Sequence, residues 1–195
     1  MKYYKLKISL DKYEDRLNRI VLFKHNCDLD DLAFTILSVF NTLAYHLYVI
    51  EDDVDKYECE ISYKEAKAMN YPDIGKPTTN VTIDMLQIKN NRFKMVYDFG
   101  ENYEFIIEVL EEVQLDEIYR IPKVIGGKGY GIVEDGKYFF EEYLNGNDLD
   151  YPLLFIKKGR KTEVNFDSFD LEECNRKLKR EISKIRNAYK MDDLD

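Results

Sequence analysis

Five carboxylates in two short segments are the residues of this sequence whose types and spacing could do chemistry. Asp98, Glu101 and Glu104 lie around a short glycine-bearing loop, and Glu134 and Asp135 follow a glycine-rich stretch. Carboxylates that converge can bind Mg²⁺ or Ca²⁺, or can share a proton. Acidic residues also occur on exposed turns simply because they are well solvated there. The sequence therefore leaves two interpretations open, a polar site or a solvated hairpin tip, and the solvated tip is the default.

A second candidate is a run of basic residues near the end of the chain. Residues 157–190 contain 11 Lys and Arg against 6 Asp and Glu, whereas the whole chain has a formal charge of −9. A basic helix can follow phosphates or bind an acidic partner, but a charged outer face is also normal for a solvated helix. The acidic total argues against a surface that coats nucleic acid as a whole, yet it permits a local contact. The positions that could bind an anion or a partner are Arg176, Lys179, Arg180, Lys184 and Arg186.

Familiar catalytic and cofactor motifs do not occur in the sequence. The glycines of residues 126–131 match neither the P-loop nor the dinucleotide-binding spacing, and we expect them to form turns. The three cysteines are too far apart for a zinc motif or a disulfide framework. Neither of the two histidines belongs to a catalytic or metal-binding pattern. We therefore expect no cofactor and no bound metal, and a protein that is not an enzyme.

The element that must position the first acidic segment is a β-hairpin. Residues 92–99 and 103–110 alternate between apolar and polar side chains on either side of a loop at 100–102. In that register Asp98 would face Glu104, which is an unfavourable like-charge pair.

The remaining elements follow from the hydrophobic pattern. The pattern predicts a loop at 70–80. Beyond residue 120 it predicts irregular structure, interrupted by the helices and the strand given below. Strands are predicted at 4–10, 20–23, 46–51, 57–62 and 153–156, helices at 29–42, 138–144 and 171–189, and one helical turn at 82–87.

Nothing in the sequence predicts secretion or insertion into a membrane. The first residues alternate between charged and apolar side chains, unlike the continuous apolar stretch of a signal peptide. No apolar run approaches the roughly 18–20 residues that cross a bilayer. We expect a cytoplasmic protein without membrane contact.

Four short motifs together resemble the plasmid pRiA4b ORF-3-like family. Residues 97–105 resemble that family's "YDFGD-x-W-x-H" hairpin, and residues 29–48 resemble its helix followed by a "HLYxF" strand. Residues 121–136 resemble its glycine-rich loop, which closes on an acidic pair, here Glu134-Asp135. Residues 169–175 resemble the start of its last helix. The four motifs occur in the family's order along nearly the whole chain.

The resemblance implies a fold more than a function. The implied fold is α+β, with a largely antiparallel sheet and flanking helices, in a single domain over residues 1–190 before an acidic tail at 191–195. Members are small bacterial and archaeal proteins, some encoded on plasmids or insertion elements, with no established activity. Tyr103 and Phe105 stand where the family usually has Trp and His. A general-base or metal role for that histidine is therefore unavailable here.

We therefore expect a non-catalytic binding or interaction module, with a protein as partner and an association with a plasmid or mobile element. One alternative is a nucleic-acid-associated accessory protein that uses the basic C-terminal helix. A further alternative is a metal-assisted hydrolase built on the clustered carboxylates. That hydrolase requires Asp98 to lie within about 10 Å of Glu134 or Asp135, because Ca²⁺ and similar ions hold their oxygen ligands at about 2.3–2.6 Å.

Overall fold

Alternating apolar side chains build one mostly antiparallel sheet, on which the rest of the chain is assembled. The computed structural model describes residues 1–147, 149, 154–157 and 160–190, with the backbone alone for 154–157 and 160–163. Its strands are β1 (Lys2–Leu10), β2 (Asn18–Lys24), β3 (Tyr48–Glu51), β4 (Lys56–Glu58), β5 (Lys76–Pro77), β6 (Arg92–Tyr97), β7 (Tyr103–Gln114) and β8 (Lys123–Lys128). They pair in the order β5-β4-β3-β6-β7-β1-β2-β8, and of these pairs β4–β5 is parallel.

Two of the helices, α1 (Leu29–Val39) and α4 (Leu171–Tyr189), pack on one face of this sheet, as expected for an α+β fold. Asp28 and Asp170 cap α1 and α4 by accepting from the backbone N–H groups of Asp31 and Glu173, which satisfies donors that the helix itself leaves open. A two-stranded hairpin of β9 and β10 lies outside the main sheet. The bounds are α1 (Leu29–Val39), α2 (Glu60–Ala68), α3 (Lys137–Leu144) and α4 (Leu171–Tyr189), a 3₁₀ turn at Ile83–Met85, β9 (Leu154–Lys157) and β10 (Arg160–Glu163).

The two faces of the sheet differ in their side chains. Leu6, Met95 and Phe105 point to the inner face, where they are fully buried in one core with α1 and α4. Lys5 and Lys94 alternate with them and point to the outer face. The outer face of the described sheet therefore carries charged side chains, whereas the inner face is apolar.

The hairpin register predicted from the sequence is wrong by two residues. Tyr97 pairs with Tyr103, so the loop runs from residue 98 to residue 102. Asp98 leaves the strand because it adopts a left-handed conformation (φ +59°), and its Oδ1 atom accepts hydrogen bonds from Gly100 and Glu101. Since Asp98 no longer pairs with a strand residue, the like-charge pair with Glu104 does not form.

Two further elements differ from the sequence prediction. The strand expected at 57–62 ends at Glu58, and α2 begins at Glu60. No residue of α2 is fully buried, and the contact of Ile61 with the core does not amount to an apolar stripe that a pattern could reveal. The expected glycine turn is in part strand β8, because Gly127 pairs with Arg19 and a Cβ there would lie 2.6 Å from the Asn18 carbonyl oxygen.

Parts of other predictions lie outside the described residues, namely Leu153 of the last predicted strand and the tail at 191–195. Within the part of the chain that the structure describes, no helix combines the length and the apolar character needed to span a bilayer.

Candidate metal centre

Three potential metal ligands from distant parts of the chain converge at one end of the sheet. The Nε2 atom of His46 lies 3.3 Å from Oδ2 of Asp98 and 3.9 Å from Oδ1 of Asp135. One ligand atom from each of the three residues can be chosen so that all lie within 4.8 Å of one another. His46 precedes β3, Asp98 follows β6, and Asp135 precedes α3. The site is thus assembled by the fold and not by one local motif.

The pairing of β3 with β6 brings His46 beside Asp98. Tyr48 pairs with Tyr97, and the backbone N–H of Asp98 continues the ladder by donating to the Leu47 carbonyl at 3.1 Å. The turn that follows holds Asp98 through its Oδ1 atom, which accepts the two backbone hydrogen bonds described above. Consequently Oδ1 supports the turn while Oδ2 faces the imidazole.

Glu134 fixes the loop that presents Asp135. Its carboxylate accepts hydrogen bonds from the Tyr97 hydroxyl and from the backbone N–H of Leu43. Earlier in the loop, Gly131 lies so close to α1 that a Cβ would come within 2.4 Å of the Phe40 carbonyl oxygen. A side chain at position 131 would therefore push the loop away from the site.

Aromatic rings orient the exposed side of the cluster. The ring of Tyr45 lies on the imidazole of His46, with 4.1 Å between the ring centroids, and its hydroxyl donates to Oδ2 of Asp135. The ring of Tyr97 contacts the imidazole edge-on, with 5.8 Å between the ring centroids.

Burial raises the pKa of the Glu134 carboxyl, while its hydrogen bonds from Tyr97 and Leu43 oppose that rise.

Burial makes the contact between His46 and Asp98 unusual. The side chain of Asp98 is 5% exposed and that of His46 is 27% exposed, whereas Asp135 is 69% exposed. Both His46 Nε2 and Asp98 Oδ2 are buried, and neither has a hydrogen-bond partner. Leaving such groups unpaired is costly, so buried polar atoms normally find a hydrogen bond, a charge or a metal ion.

A metal ion would account for the spacing of these atoms. Nitrogen and oxygen ligands bind zinc at about 2.0–2.2 Å, so two ligands of one ion lie roughly 3.0–3.5 Å apart. The 3.3 Å between His46 Nε2 and Asp98 Oδ2 lies in that range. A protonated imidazole paired with the carboxylate is the other arrangement compatible with this distance.

The structure brings together only part of the acidic set predicted from the sequence. Asp98 and Asp135 meet, with Glu134 as the anchor beside them, so the separation required by the hydrolase alternative is met. Glu101 lies at the start of α3, where its Oε2 accepts the backbone N–H of Lys137 at 3.1 Å. Glu104 points to the outer face of the sheet and pairs with Lys94 there, at 3.1 Å.

Sequence reasoning missed His46 as a site residue. His46 is singled out in the sequence only as the first residue of the "HLYxF"-like strand, because neither of its eventual neighbours, Asp98 and Asp135, lies near it in the sequence. The signal that could have found it is positional. A histidine at the beginning of a strand that pairs with the Asp98 hairpin lies beside the hairpin loop.

The basic residues of α4 are mostly paired with carboxylates. Lys179 is the exception and forms no ion pair with a described residue. Ion pairs between exposed side chains contribute little to stability, so the paired residues of α4 can exchange their carboxylate partners for another anion. The nucleic-acid hypothesis thus stays a prediction. The pairs are Arg176 with Glu173, Arg180 and Lys184 with Glu181, and Arg186 with Asp31.

Comparisons with known proteins identify a family and a solved structure of similar fold. The sequence matches the family model of the plasmid pRiA4b ORF-3-like proteins over residues 2–176. The chain is also similar to a crystal structure of a protein of unknown function, MM3350, from Methanosarcina mazei Go1. That likeness has a TM-score of 0.61 and 22% identity, and it covers 74% of this chain and 81% of the other. At this identity it concerns the fold alone. No curated protein matches the chain.

Proposed function

We propose that this chain, which belongs to the plasmid pRiA4b ORF-3-like family, binds a divalent transition-metal ion through His46, Asp98 and Asp135. The observation that carries the proposal is the buried pair of atoms His46 Nε2 and Asp98 Oδ2, which face each other at 3.3 Å without a hydrogen bond. The proposal departs from the sequence expectation of no metal, because the fold adds a histidine to the two carboxylates.

The ligand chemistry favours a first-row transition metal. One imidazole nitrogen and two carboxylate oxygens suit Zn²⁺, Mn²⁺ or Fe²⁺, whereas Ca²⁺ prefers six to eight oxygen ligands. Three protein ligands leave coordination positions for a water molecule or a substrate oxygen. That is the arrangement of catalytic zinc sites, since structural zinc sites use four protein ligands.

Hydrolysis is the reaction class that this arrangement supports best. A metal ion with open positions supplies a water molecule of lowered pKa and polarises a carbonyl or phosphoryl oxygen. Asp98 is shielded from solvent and would hold the ion, while the exposed Asp135 and the hydroxyl of Tyr45 lie on the side that a substrate can reach.

Isothermal titration calorimetry with ZnCl₂ and with MnCl₂ tests metal binding. We expect a single site in the unsubstituted protein and its loss in His46→Ala and Asp98→Asn. The matched controls change residues outside the cluster and should bind metal normally. They are His25→Ala, whose ring stacks on Tyr4 with 4.6 Å between the ring centroids, and Glu104→Gln, which lies on the outer face of the sheet. An unsubstituted protein that binds no more metal than Asp98→Asn would contradict the proposal.

Hydrolysis is tested separately with two chromogenic substrates, p-nitrophenyl acetate and bis(p-nitrophenyl) phosphate. We expect metal-dependent turnover of at least one of them, and its loss in Asp98→Asn. Metal binding without turnover of either substrate would restrict the site to binding.

The sequence favours a non-catalytic module that binds a protein, and this role is compatible with a metal centre. Motif resemblance supports the proposed association with a plasmid or mobile element. A cytoplasmic location stays a prediction.

A further inference from the structure

An open groove of about 800 Å³ lies on the outer face of the sheet, away from the helices α1 and α4. Its floor consists of side chains from β3 and β6, in particular Val49 and Val96, which are 8% and 7% exposed. One wall is α2, and the hairpin loop at Phe99 and Asn102 closes one end. No residue of this helix is fully buried, although Ile61 packs against the core.

The wall formed by α2 presents one helical face to the groove. Ser62, Glu65, Ala66 and Met69 follow each other at helical spacing, and all of them line the groove. Ser62 on this face donates to the Glu58 carboxylate of β4, whereas Glu65 and Met69 are exposed, so this part of the wall is open to a partner.

The groove carries an excess of negative charge. Its two lysines, Lys56 and Lys94, are both paired with carboxylates, at 3.0 Å and 3.3 Å from Glu51 respectively, and Lys94 also pairs with Glu104. Three other lining carboxylates form no ion pair among the described residues: Glu58, Glu65 and Asp73. Glu58 accepts hydrogen bonds from two neutral groups, the Ser62 hydroxyl and the backbone N–H of Gly75.

Large apolar side chains are exposed at the rim of the same groove. Met69, Tyr71 and Phe99 are 65%, 58% and 53% exposed. Methionine adapts to differently shaped partners, and aromatic faces attract lysine and arginine side chains. The groove therefore offers contacts both for apolar residues and for cations.

We propose that this groove docks a cationic amphipathic segment of a partner protein, one that carries lysine or arginine together with apolar residues. Charge complementarity selects this occupant, because Glu65 and Asp73 line the groove and form no ion pair with the described residues. An acidic segment or a nucleic acid would be repelled by the same groups. The proposal is independent of the metal centre, since no ligand of that centre lines the groove.

Fluorescence anisotropy with a labelled peptide of alternating lysine and leucine residues tests the proposal. We expect binding that weakens as salt rises, and about tenfold weaker binding to the double variant Glu65→Lys/Asp73→Lys. The control Asp15→Lys/Asp116→Lys makes the same change in net charge at exposed sites outside the groove, and should bind like the unsubstituted protein. Met69→Ser should weaken binding without changing charge.

Two results would overturn this proposal. One is equal affinity of the groove variant and the control variant, which would show attraction to net charge alone. The other is a stable dimer in sedimentation velocity that Glu65→Lys/Asp73→Lys converts to a monomer, since a second copy of the chain would then be the occupant. Circular dichroism of each variant verifies that the protein remains folded.

Discussion

Asp98 and His46 hold a carboxylate oxygen and an imidazole nitrogen 3.3 Å apart, and both atoms are buried without a hydrogen bond. Such a contact weakens the metal-free protein, because desolvated polar groups that lack partners cost stability. Functional sites commonly retain groups of this kind at the expense of stability. The account of the site therefore leads to predictions about stability as well as about binding.

Asp98→Asn should leave the metal-free protein as stable as before, or make it more stable. Asparagine tolerates the left-handed conformation at this position and can still accept hydrogen bonds from Gly100 and Glu101, while the buried charge is gone. Asp98→Ala removes those hydrogen bonds and should cost about 1–2 kcal/mol. Urea unfolding in the presence of a chelator measures both changes. If a protonated His46 and Asp98 instead form a stabilising ion pair, Asp98→Asn will destabilise the protein strongly.

Glu134→Ala should weaken metal binding although Glu134 is not one of the proposed ligands. Its carboxylate ties the loop that presents Asp135 to Tyr97 and Leu43, so its loss lets that ligand move. Loss of such outer-sphere groups typically costs about 10–100-fold in metal affinity. Titration calorimetry should show this loss and a partial rescue by Glu134→Gln, which keeps an oxygen acceptor. Unchanged affinity in Glu134→Ala would show that the loop needs no such anchor.

Arg19→Met should destabilise the protein by about 3 kcal/mol or more. Arg19 is 1% exposed and donates to the backbone carbonyls of Asn18, Val39, Lys128 and Tyr130. Its removal leaves several buried acceptors unpaired, at roughly 1–3 kcal/mol each. The free energy of unfolding in urea measures the effect.

The control for this variant is Arg120→Met, because Arg120 is an exposed arginine outside the core. Its change should stay within about 0.5 kcal/mol, as is usual at the surface. Equal stabilities of the two variants would mean that the buried guanidinium does not hold β2, β8 and the end of α1 together.

Stability should fall as the pH rises above about 10. Burial, with the neighbouring Asp52 carboxylate, raises the pKa of Tyr57 to about 12. Tyrosine in the unfolded chain titrates near 10, so between these values the folded state binds more protons than the unfolded state, and its stability decreases with pH. Tyr57→Phe should show a shallower decrease in urea unfolding, whereas Tyr138→Phe, at a side chain that is 67% exposed, serves as the control. A decrease that is the same in all three proteins would contradict this assignment.

Residues that bury a regular apolar stripe could be placed from the sequence alone. The alternation in β1 and the apolar spacing of α1 and α4 predict those elements, because the inner face of the sheet and the buried helix faces impose the period. Helix α2 escaped prediction because it buries no side chain fully and so shows no repeated apolar spacing. The hairpin register was wrong because Asp98 leaves the strand to support the turn, which side-chain alternation does not reveal.

The candidate site likewise contains some residues that the sequence predicts and one that only the fold reveals. Asp98 and Asp135 could be singled out as carboxylates next to turns, but His46 joins them only through the pairing of β3 with β6. Glu104 is close to Asp98 in the sequence, but β7 directs its side chain to the outer face of the sheet, where it pairs with Lys94. Closeness in sequence therefore identifies candidates, whereas sheet register determines which of them meet.

The most direct test of the metal centre is anomalous diffraction at the zinc edge from crystals grown with Zn²⁺. We predict one strong anomalous peak within about 2.0–2.2 Å of His46 Nε2, Asp98 Oδ2 and a carboxylate oxygen of Asp135. A map with no peak between these three residues, or with zinc only at other surface carboxylates, would contradict the account.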